Sequence, residues 1–498
     1  MMTSKALRAS ACLTAVMLAP AAHADVTAQQ VWDAWQDSMT EYAASAQITT
    51  GAVDASGDTV TVTDFALNND IDGDTVSMTI PQIVFTGAGD GTVDITLSDT
   101  VPVEFTTGAD VDVKMSIKQT GTVIKASGTP EALSYDVAAD QYVISVDKLT
   151  GTDGTIDGDM RVALNAVKGT STMVTGDLRE SSYDLTAGTV DLLVDITAPD
   201  ATSVMISGKI DGVASAGTSS APMDLDFTDP AAMFGGAYVA KGSYTSGPSA
   251  YIIAVDGTTT VNGTATNGPG TMSYSVGPEG LSYDITATDV NADLTSSEMP
   301  FPFKLSAASY GFAMTTPLAP TDAPVPFKLA LDLSGVTVNE EIWAMVDPSS
   351  ALPHDPATIK LDVTGAAQLD VPLMDAEQAQ ALAMEPGFPG KIESLSLNNL
   401  TVDAVGLNVN GTGEFTFDNS DTTTFPGMPR PDGTVTIDVA GANALIDNLI
   451  TMGLIPAEQA MMPRMMLGMF AKPVGEDAVQ SVIEVKDGQV MANGQRIR

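Results

Sequence analysis

The sequence predicts a mainly β protein: long antiparallel meander sheets in two similar halves, with an N-terminal helix and a Met-rich C-terminal helical segment. Three observations predict it. Apolar and polar residues alternate through most of the chain, the period of a strand with one buried face. Turn-forming dipeptides lie between the alternating runs. Helical periodicity is confined to the two ends.

Residues 1–24 have the three parts of a secretory signal peptide. Lys5 and Arg8 are the positive start, Ala9 to Ala19 the apolar stretch, and Ala22-His23-Ala24 the small-x-small site before cleavage. The apolar stretch is shorter than the roughly 20 residues that cross a bilayer. Cys12 is misplaced for a lipidated cysteine and is the only cysteine of the chain, so the mature protein, expected to begin at Asp25, has none. That excludes disulfides, thiol nucleophiles and thiolate metal sites.

Residues 25–47 are expected to form the first helix. Thr27 and Gln30 have the spacing of a capping box, and Val31, Trp35, Met39 and Tyr42 form one apolar stripe. Residues 48–270 are expected to be a first β-rich half and 271–440 a second. Alternation is clear at Val93, Ile95 and Leu97, and at Val111, Val113, Met115 and Ile117. It returns at Ile359, Leu361 and Val363, and at Val435, Ile437 and Val439. Asp72-Gly73, Asn262-Gly263, Asn410-Gly411 and Asp432-Gly433 are read as turns. Pro130-Glu131-Ala132-Leu133-Ser134-Tyr135-Asp136 returns as Pro278-Glu279-Gly280-Leu281-Ser282-Tyr283-Asp284, with a further Ser182-Tyr183-Asp184, which suggests an old duplication. Residues 441–498 are expected to hold two helices and a closing hairpin. Asn443 would cap the first helix, Gly453 would end it, and Pro456 would open the second, with Pro463 and Arg464 interrupting it. The hairpin turns at Asp487-Gly488 and Asn493-Gly494.

The charge is the most extreme property. Without the two basic residues of the leader, 19 basic face 63 acidic residues, a formal net of −44. Such a field repels nucleic acid, so no nucleic-acid partner is expected. A hydrophobic content of 44% nevertheless supports a buried core, which a disordered acidic chain lacks.

No catalytic, cofactor-binding or metal-binding residues stand out. His354 is the only histidine after the leader, and a triad of His354 and Asp355 with Ser349 or Ser350 lacks the strand-serine-helix elbow. Asp70, Asp72 and Asp74 fail as a calcium loop, because the sixth position is Thr75 and the twelfth Pro81. The methionines Met461, Met462, Met465, Met466 and Met469 read as helix filler, with a binding groove as the alternative.

The combination of Val31-Trp32-Asp33-Ala34-Trp35, Glu341-Ile342-Trp343, Asp355-Pro356-Ala357-Thr358, Gly441 to Asp447, Met465 to Ala471 and Ala492-Asn493-Gly494-Gln495-Arg496 resembles an uncharacterised family of exported alphaproteobacterial proteins, the domain of unknown function 2125. The resemblance spans nearly the whole mature chain and implies no assigned activity. The ending also resembles that of AsmA-type envelope proteins, which are β-rich and in several cases linked to lipid traffic.

The expected protein is therefore periplasmic, or alternatively secreted, and is not an enzyme. It is a scaffold or partner-binding protein of the cell envelope. Alternatives are a carrier of an apolar ligand such as lipid in a β groove, and a hydrolase using two carboxylates. Its expected partner is an envelope protein or lipid, no cofactor is expected, and the mature chain has no transmembrane segment. Whether the sheet closes as a sandwich or leaves an apolar trough stays open at this level.

Overall fold

The computed structural model describes residues 25–42, 46–71, 74–107, 111–151, 154–225, 232–374 and 389–498. The leader, its cleavage site and the Asp72-Gly73 turn lie outside the described residues.

The described strands form one 27-stranded sheet, antiparallel throughout, in which the chain mostly pairs with what immediately precedes and follows it. The longest strands, Ala132–Gly151, Gly154–Thr175, Leu178–Thr197 and Ser203–Pro222, reach 20 to 22 residues. Strands usually run about 5–6 residues. These are tolerated because almost every strand is interrupted at the same level. The pairing skips Asp64 opposite Pro81, Ala166 opposite Asp140, Gly188 opposite Gly212, and Asp289 opposite Ala308. Asp64, Ala166, Gly212 and Asp289 have positive φ. Neighbouring strands break outright at Ser98-Asp99, Gly121-Thr122, Gly247-Pro248 and Gly268-Pro269. The interruptions lie side by side: Gly247 N donates to Asp211 O at 2.7 Å, Gly268 N to Thr288 O at 2.8 Å, and Gln119 N to Asp99 O at 2.9 Å.

At each level one residue is left unpaired on both strands and the register is kept. A line of such interruptions creases the whole sheet lengthwise. It also resets the alternation, so that one face stays apolar on both flanks. In Ala132–Gly151 the inward residues are Leu133, Tyr135, Val137 and Ala139 before the crease, and Tyr142, Ile144 and Val146 after it. Ala139, Val167 and Ala187 are buried at the bottom of the crease, and Tyr142, Leu164 and Val190 from the other flank pack on them.

The duplication is visible in the pairing. Asp74–Gly87 pairs through its C-terminal half with Val93–Leu97 and through its N-terminal half with Thr100–Thr106. These pair with Val123–Thr129 and Asp112–Thr120, which rejoin on Ala132–Gly151. Ser203–Pro222 repeats the scheme with Val239–Ser246 and Ser249–Asp256, then Gly270–Gly277 and Val261–Asn267, rejoining on Gly280–Ser296. The Pro-Glu…Ser-Tyr-Asp echo enters the last strand of each unit. The sheet passes through residues 270–271 without a gap in its pairing.

Helix α1 (Ala28–Tyr42) lies on the inward face of the first strands. Its capping box is formed: Thr27 N donates to Gln30 Oε1 at 2.9 Å, and Gln30 N to Thr27 Oγ1 at 3.3 Å. Trp32 meets Phe65 edge-on at 6.1 Å and lies 5.8 Å from Phe85, and Trp35 lies 5.7 Å from Phe65. This is the only large buried cluster among the described residues, and it includes Val31, Val62, Ile83 and Val93. Helix α2 (Glu340–Val346) lies in a connection between strands. Helices α3 (Ala442–Thr451) and α4 (Ala457–Phe470) pack over the last strands.

Four turn or cap assignments differ from the sequence expectation. Asn262-Gly263, Asn410-Gly411 and Asp432-Gly433 are all inside strands. Their glycines leave room for Leu294, Leu400 and Phe415 of the next strand. The start of α3 is capped not by Asn443 but by Asp477, which accepts from Asn443 N at 3.1 Å and Ala444 N at 2.9 Å. Pro463 does not interrupt α4, which continues to Phe470. The two closing turns form as expected, with positive φ at Asp487, Gly488, Asn493 and Gly494. Asp477→Ala is expected to cost about 1 kcal/mol, the usual loss for a helix cap, read as a shifted denaturant midpoint; an unchanged midpoint would show that α3 does not depend on this carboxylate.

Candidate functional site

Directly paired residues of adjacent strands share a face, so the register traces the inward face across the molecule. One row runs Tyr135, Ser171, Tyr183, Gly217, Gly242, Tyr274, Tyr283, Met314, Leu329, Val363. The next runs Val137, Gly169, Leu185, Ser215, Tyr244, Met272, Ile285, Phe312, Leu331, Leu361. Across the crease another carries Ile144, Val162, Leu192, Gly208, Tyr251, Ala265, Ala292, Leu305, Val338.

These three rows carry no charged side chain, and from Ala132–Gly151 to Ala357–Leu369 the one on the inward face among the described residues is Arg179, paired with Thr175 and Ala221. Arg179 is buried. The carboxylates alternate to the other face: Asp136, Asp184, Asp284, Asp293, Asp332 and Asp362 all stand one residue from an inward side chain. Lys304 and Lys360 pair with Asp293 at 2.7 Å and Asp332 at 3.0 Å on that outer face.

The inward face is apolar yet half open. Beyond the α1 cluster the fully buried members are mostly alanines, whereas Tyr183, Leu185, Tyr310, Leu329 and Leu331 are exposed. Val111, Val113, Met115 and Ile117 are half-buried, as are Asp112 and Lys114 between them, while Ser116 is buried. No second sheet covers this face among the described residues.

Both ends of the trough are roofed by helices on the same face. Beside α1 a cleft of about 550 Å³ is lined by Ala34, Asp37, Ser38, Leu133 and Met173. At the far end a cavity of about 440 Å³ lies between α3, α4 and the sheet, lined by Ile437, Val439, Leu445, Met466, Leu467 and Phe470. Met466 is also exposed, as are Met461, Met462, Met465 and Met469 of α4.

Other candidates are not assembled into chemistry. His354 stacks on Trp343 at 4.2 Å and 7°, with Nδ1 3.0 Å from Glu340 Oε2 and Nε2 3.8 Å from Asp347 Oδ2. It therefore engages Glu340 and Asp347, while Ser349 Oγ donates to Asp347 Oδ1 at 3.0 Å. Among the described residues no group of three or more His, Cys, Asp or Glu is arranged to hold a metal ion, and no helix is long and apolar enough to cross a membrane.

Asp347 instead fastens its connection. Burial raises the pKa of its carboxyl, but the amides of Leu352 and Ala351, the Ser349 hydroxyl and His354 outweigh this and hold it below the ordinary aspartate value. A folded pKa below the unfolded one gives stability that is present above the unfolded value near ~4 and lost as pH falls through the folded value. Trp343 fluorescence should therefore report an acid-induced loosening of the 339–356 connection below about pH 4, and Asp347→Asn should lack that phase. An identical acid transition in the variant would assign it elsewhere.

The inward-facing tyrosines and the glycines opposite them carry no recognisable catalytic motif. The one sequence signal was the repeated Ser-Tyr-Asp, in which the tyrosine faces inward and the aspartate outward.

The fold and this face define a class: a creased single-sheet β protein with an apolar trough closed at each end by helices. Its family is known from sequence. The chain belongs to a family described as uncharacterized protein conserved in bacteria (DUF2125), whose model matches residues 246–497. The match covers the second part of the trough and helices α2 to α4, and begins well after the Val31 to Trp35 motif. Among curated proteins, none matches the chain significantly.

Proposed function

We propose that this protein is a non-catalytic binder of apolar ligands, lipid in class, acting in the bacterial cell envelope. One observation carries the reading. A chain with 63 acidic residues keeps its carboxylates off one continuous apolar face, yet leaves that face half exposed. Burying an unpaired charge against hydrocarbon costs several kcal/mol, so sorting of this kind suits an alkyl occupant. An apolar face of this extent left in water is a binding surface by default. The signal-like leader fits a periplasmic location, and the AsmA-type resemblance points to the same class of ligand.

The separation of carboxylates from the trough favours binding over hydrolysis. A partner-binding role draws on a different feature, the exposed methionines of α4, since methionine adapts to irregular apolar partners. The test of the lipid reading is direct. Purified protein should bind the uncharged dye N-phenylnaphthylamine saturably, and native mass spectrometry of protein from the envelope should show retained lipid. Absence of both would remove the carrier reading and leave the partner-binding one.

A further inference from the structure

The inward face is apolar but not without polar atoms. Eight of the ten tyrosines lie on it: Tyr135, Tyr142, Tyr183, Tyr244, Tyr251, Tyr274, Tyr283 and Tyr310. Within one row, Tyr183 and Tyr274 flank two glycines, Gly217 and Gly242, on the two strands between them. A Cβ on Gly217 would stand 2.6 Å from the Tyr183 ring, and one on Gly242 would stand 2.5 Å from the Tyr274 ring. The two rings therefore lie down across the glycine backbones and point their hydroxyls at each other. The Tyr183 hydroxyl interacts with that of Tyr274 and accepts from Ser215 Oγ at 3.4 Å. Tyr251 lies over Gly208 in the same manner on the other flank. A side chain at either glycine would lift a ring into the trough. The glycines thus keep the floor low and the phenols together.

Phenols are hydrogen-bond donors without charge. Burial, with Tyr183 adding to it, raises the pKa of Tyr274 above its ordinary value, and burial does the same for Tyr244. These groups stay protonated donors at every physiological pH. Apart from the buried Arg179, no cation accompanies them on the central inward rows, and the outer face carries a large negative charge. A carboxylate or phosphate brought onto this floor would find no counter-charge and a repelling field. An ester carbonyl or hydroxyl would find donors of matching polarity.

Resting on the lipid-binding reading above, we propose that Tyr183 and Tyr274, on the Gly217–Gly242 floor, are the polar anchor of the trough and select lipids whose buried polar group is an uncharged ester or hydroxyl, of the diacylglycerol type, over free fatty acids.

The experiment displaces N-phenylnaphthylamine from the purified protein with dioleoylglycerol and with oleate, which share the acyl chain and differ in the polar group. Dioleoylglycerol is expected to displace the dye at a concentration at least about tenfold lower, the size of one or two neutral hydrogen bonds plus an avoided buried charge. Tyr183→Phe with Tyr274→Phe should weaken dioleoylglycerol about five- to tenfold relative to oleate, both referred to the variant's own dye affinity, because phenylalanine keeps the ring and removes only the hydroxyl. Equal displacement by the two lipids, or an unaltered dioleoylglycerol affinity in the double variant, would overturn the anchor. Failure of the dye itself to bind would instead strike the lipid-binding reading on which the anchor rests.

Discussion

Trp32→Ala is expected to destabilise the N-terminal end of the sheet by roughly 3–5 kcal/mol, the usual range for removing a large aromatic from a core. Trp32 is 3% exposed, and its ring contacts Trp35, Phe65 and Phe85. The cost should be concentrated, because the buried cluster of Val62, Phe65, Ile83, Phe85 and Val93 is the largest in the described structure. Everything beyond it is held by strand pairing and by half-buried contacts. Chemical denaturation should therefore show an early transition in the variant, with the near-UV dichroism of Trp35 lost first. Trp343 lies far along the chain, stacked on His354, and should keep its own signal until the second transition. A single cooperative unfolding with a loss under about 1 kcal/mol, well short of a core aromatic, would mean that α1 is not the keystone of that end.

The architecture was legible in the sequence to the extent that it is local. Strict alternation fixed the β class, the Thr27–Gln30 spacing fixed the start of α1, and Asp487-Gly488 and Asn493-Gly494 fixed the closing turns. The crease was not legible. Its residues, among them Asp64, Ala166, Gly188 and Asp289, share no type, because each interruption is matched by one on the partner strand and is not set by its own neighbours. The same non-locality misled the reading of glycines. Gly263, Gly411 and Gly433 follow Asn or Asp and look like turns, but each is vacated for a large side chain on an adjacent strand. The site was hidden for the same reason. Tyr183 and Gly217 are 34 positions apart and meet only through the register. What the sequence did hold was the duplication. Pro130 to Asp136 and Pro278 to Asp284 mark the same strand of the two units, and each delivers a tyrosine to the inward face. The first unit has α1 over that face. Among the described residues the second has no helix of comparable length, only the helical turn Met233–Ala237 in the connection before Val239–Ser246.

Placing carboxylates on the exposed inward face should have the largest effect on binding. Leu185 and Leu331 belong to one inward row, and they are 39% and 36% exposed. Leu185→Asp with Leu331→Asp adds two charges where every described neighbour in that row, from Val137 to Leu361, is uncharged. In the empty trough each carboxylate still reaches water, so folding should lose little, on the order of 1 kcal/mol or less for partly exposed sites. An occupant that covers them strips that water away, and the cost of an unpaired buried carboxylate then falls on the complex. Affinity for N-phenylnaphthylamine is expected to drop more than about tenfold, which corresponds to only ~1.4 kcal/mol of that cost. Ile252→Asp is the matched control. Ile252 is 52% exposed and sits between Tyr251 and Ile253, so it points to the opposite, acidic face. It adds the same kind of charge to the same protein and should leave binding unchanged. If Ile252→Asp weakens the dye as much as the double variant does, net charge and not the trough governs binding. If neither variant weakens it, the ligand sits elsewhere, and the cavity beneath α3 and α4 becomes the place to look, with Leu445→Asp as the variant that decides.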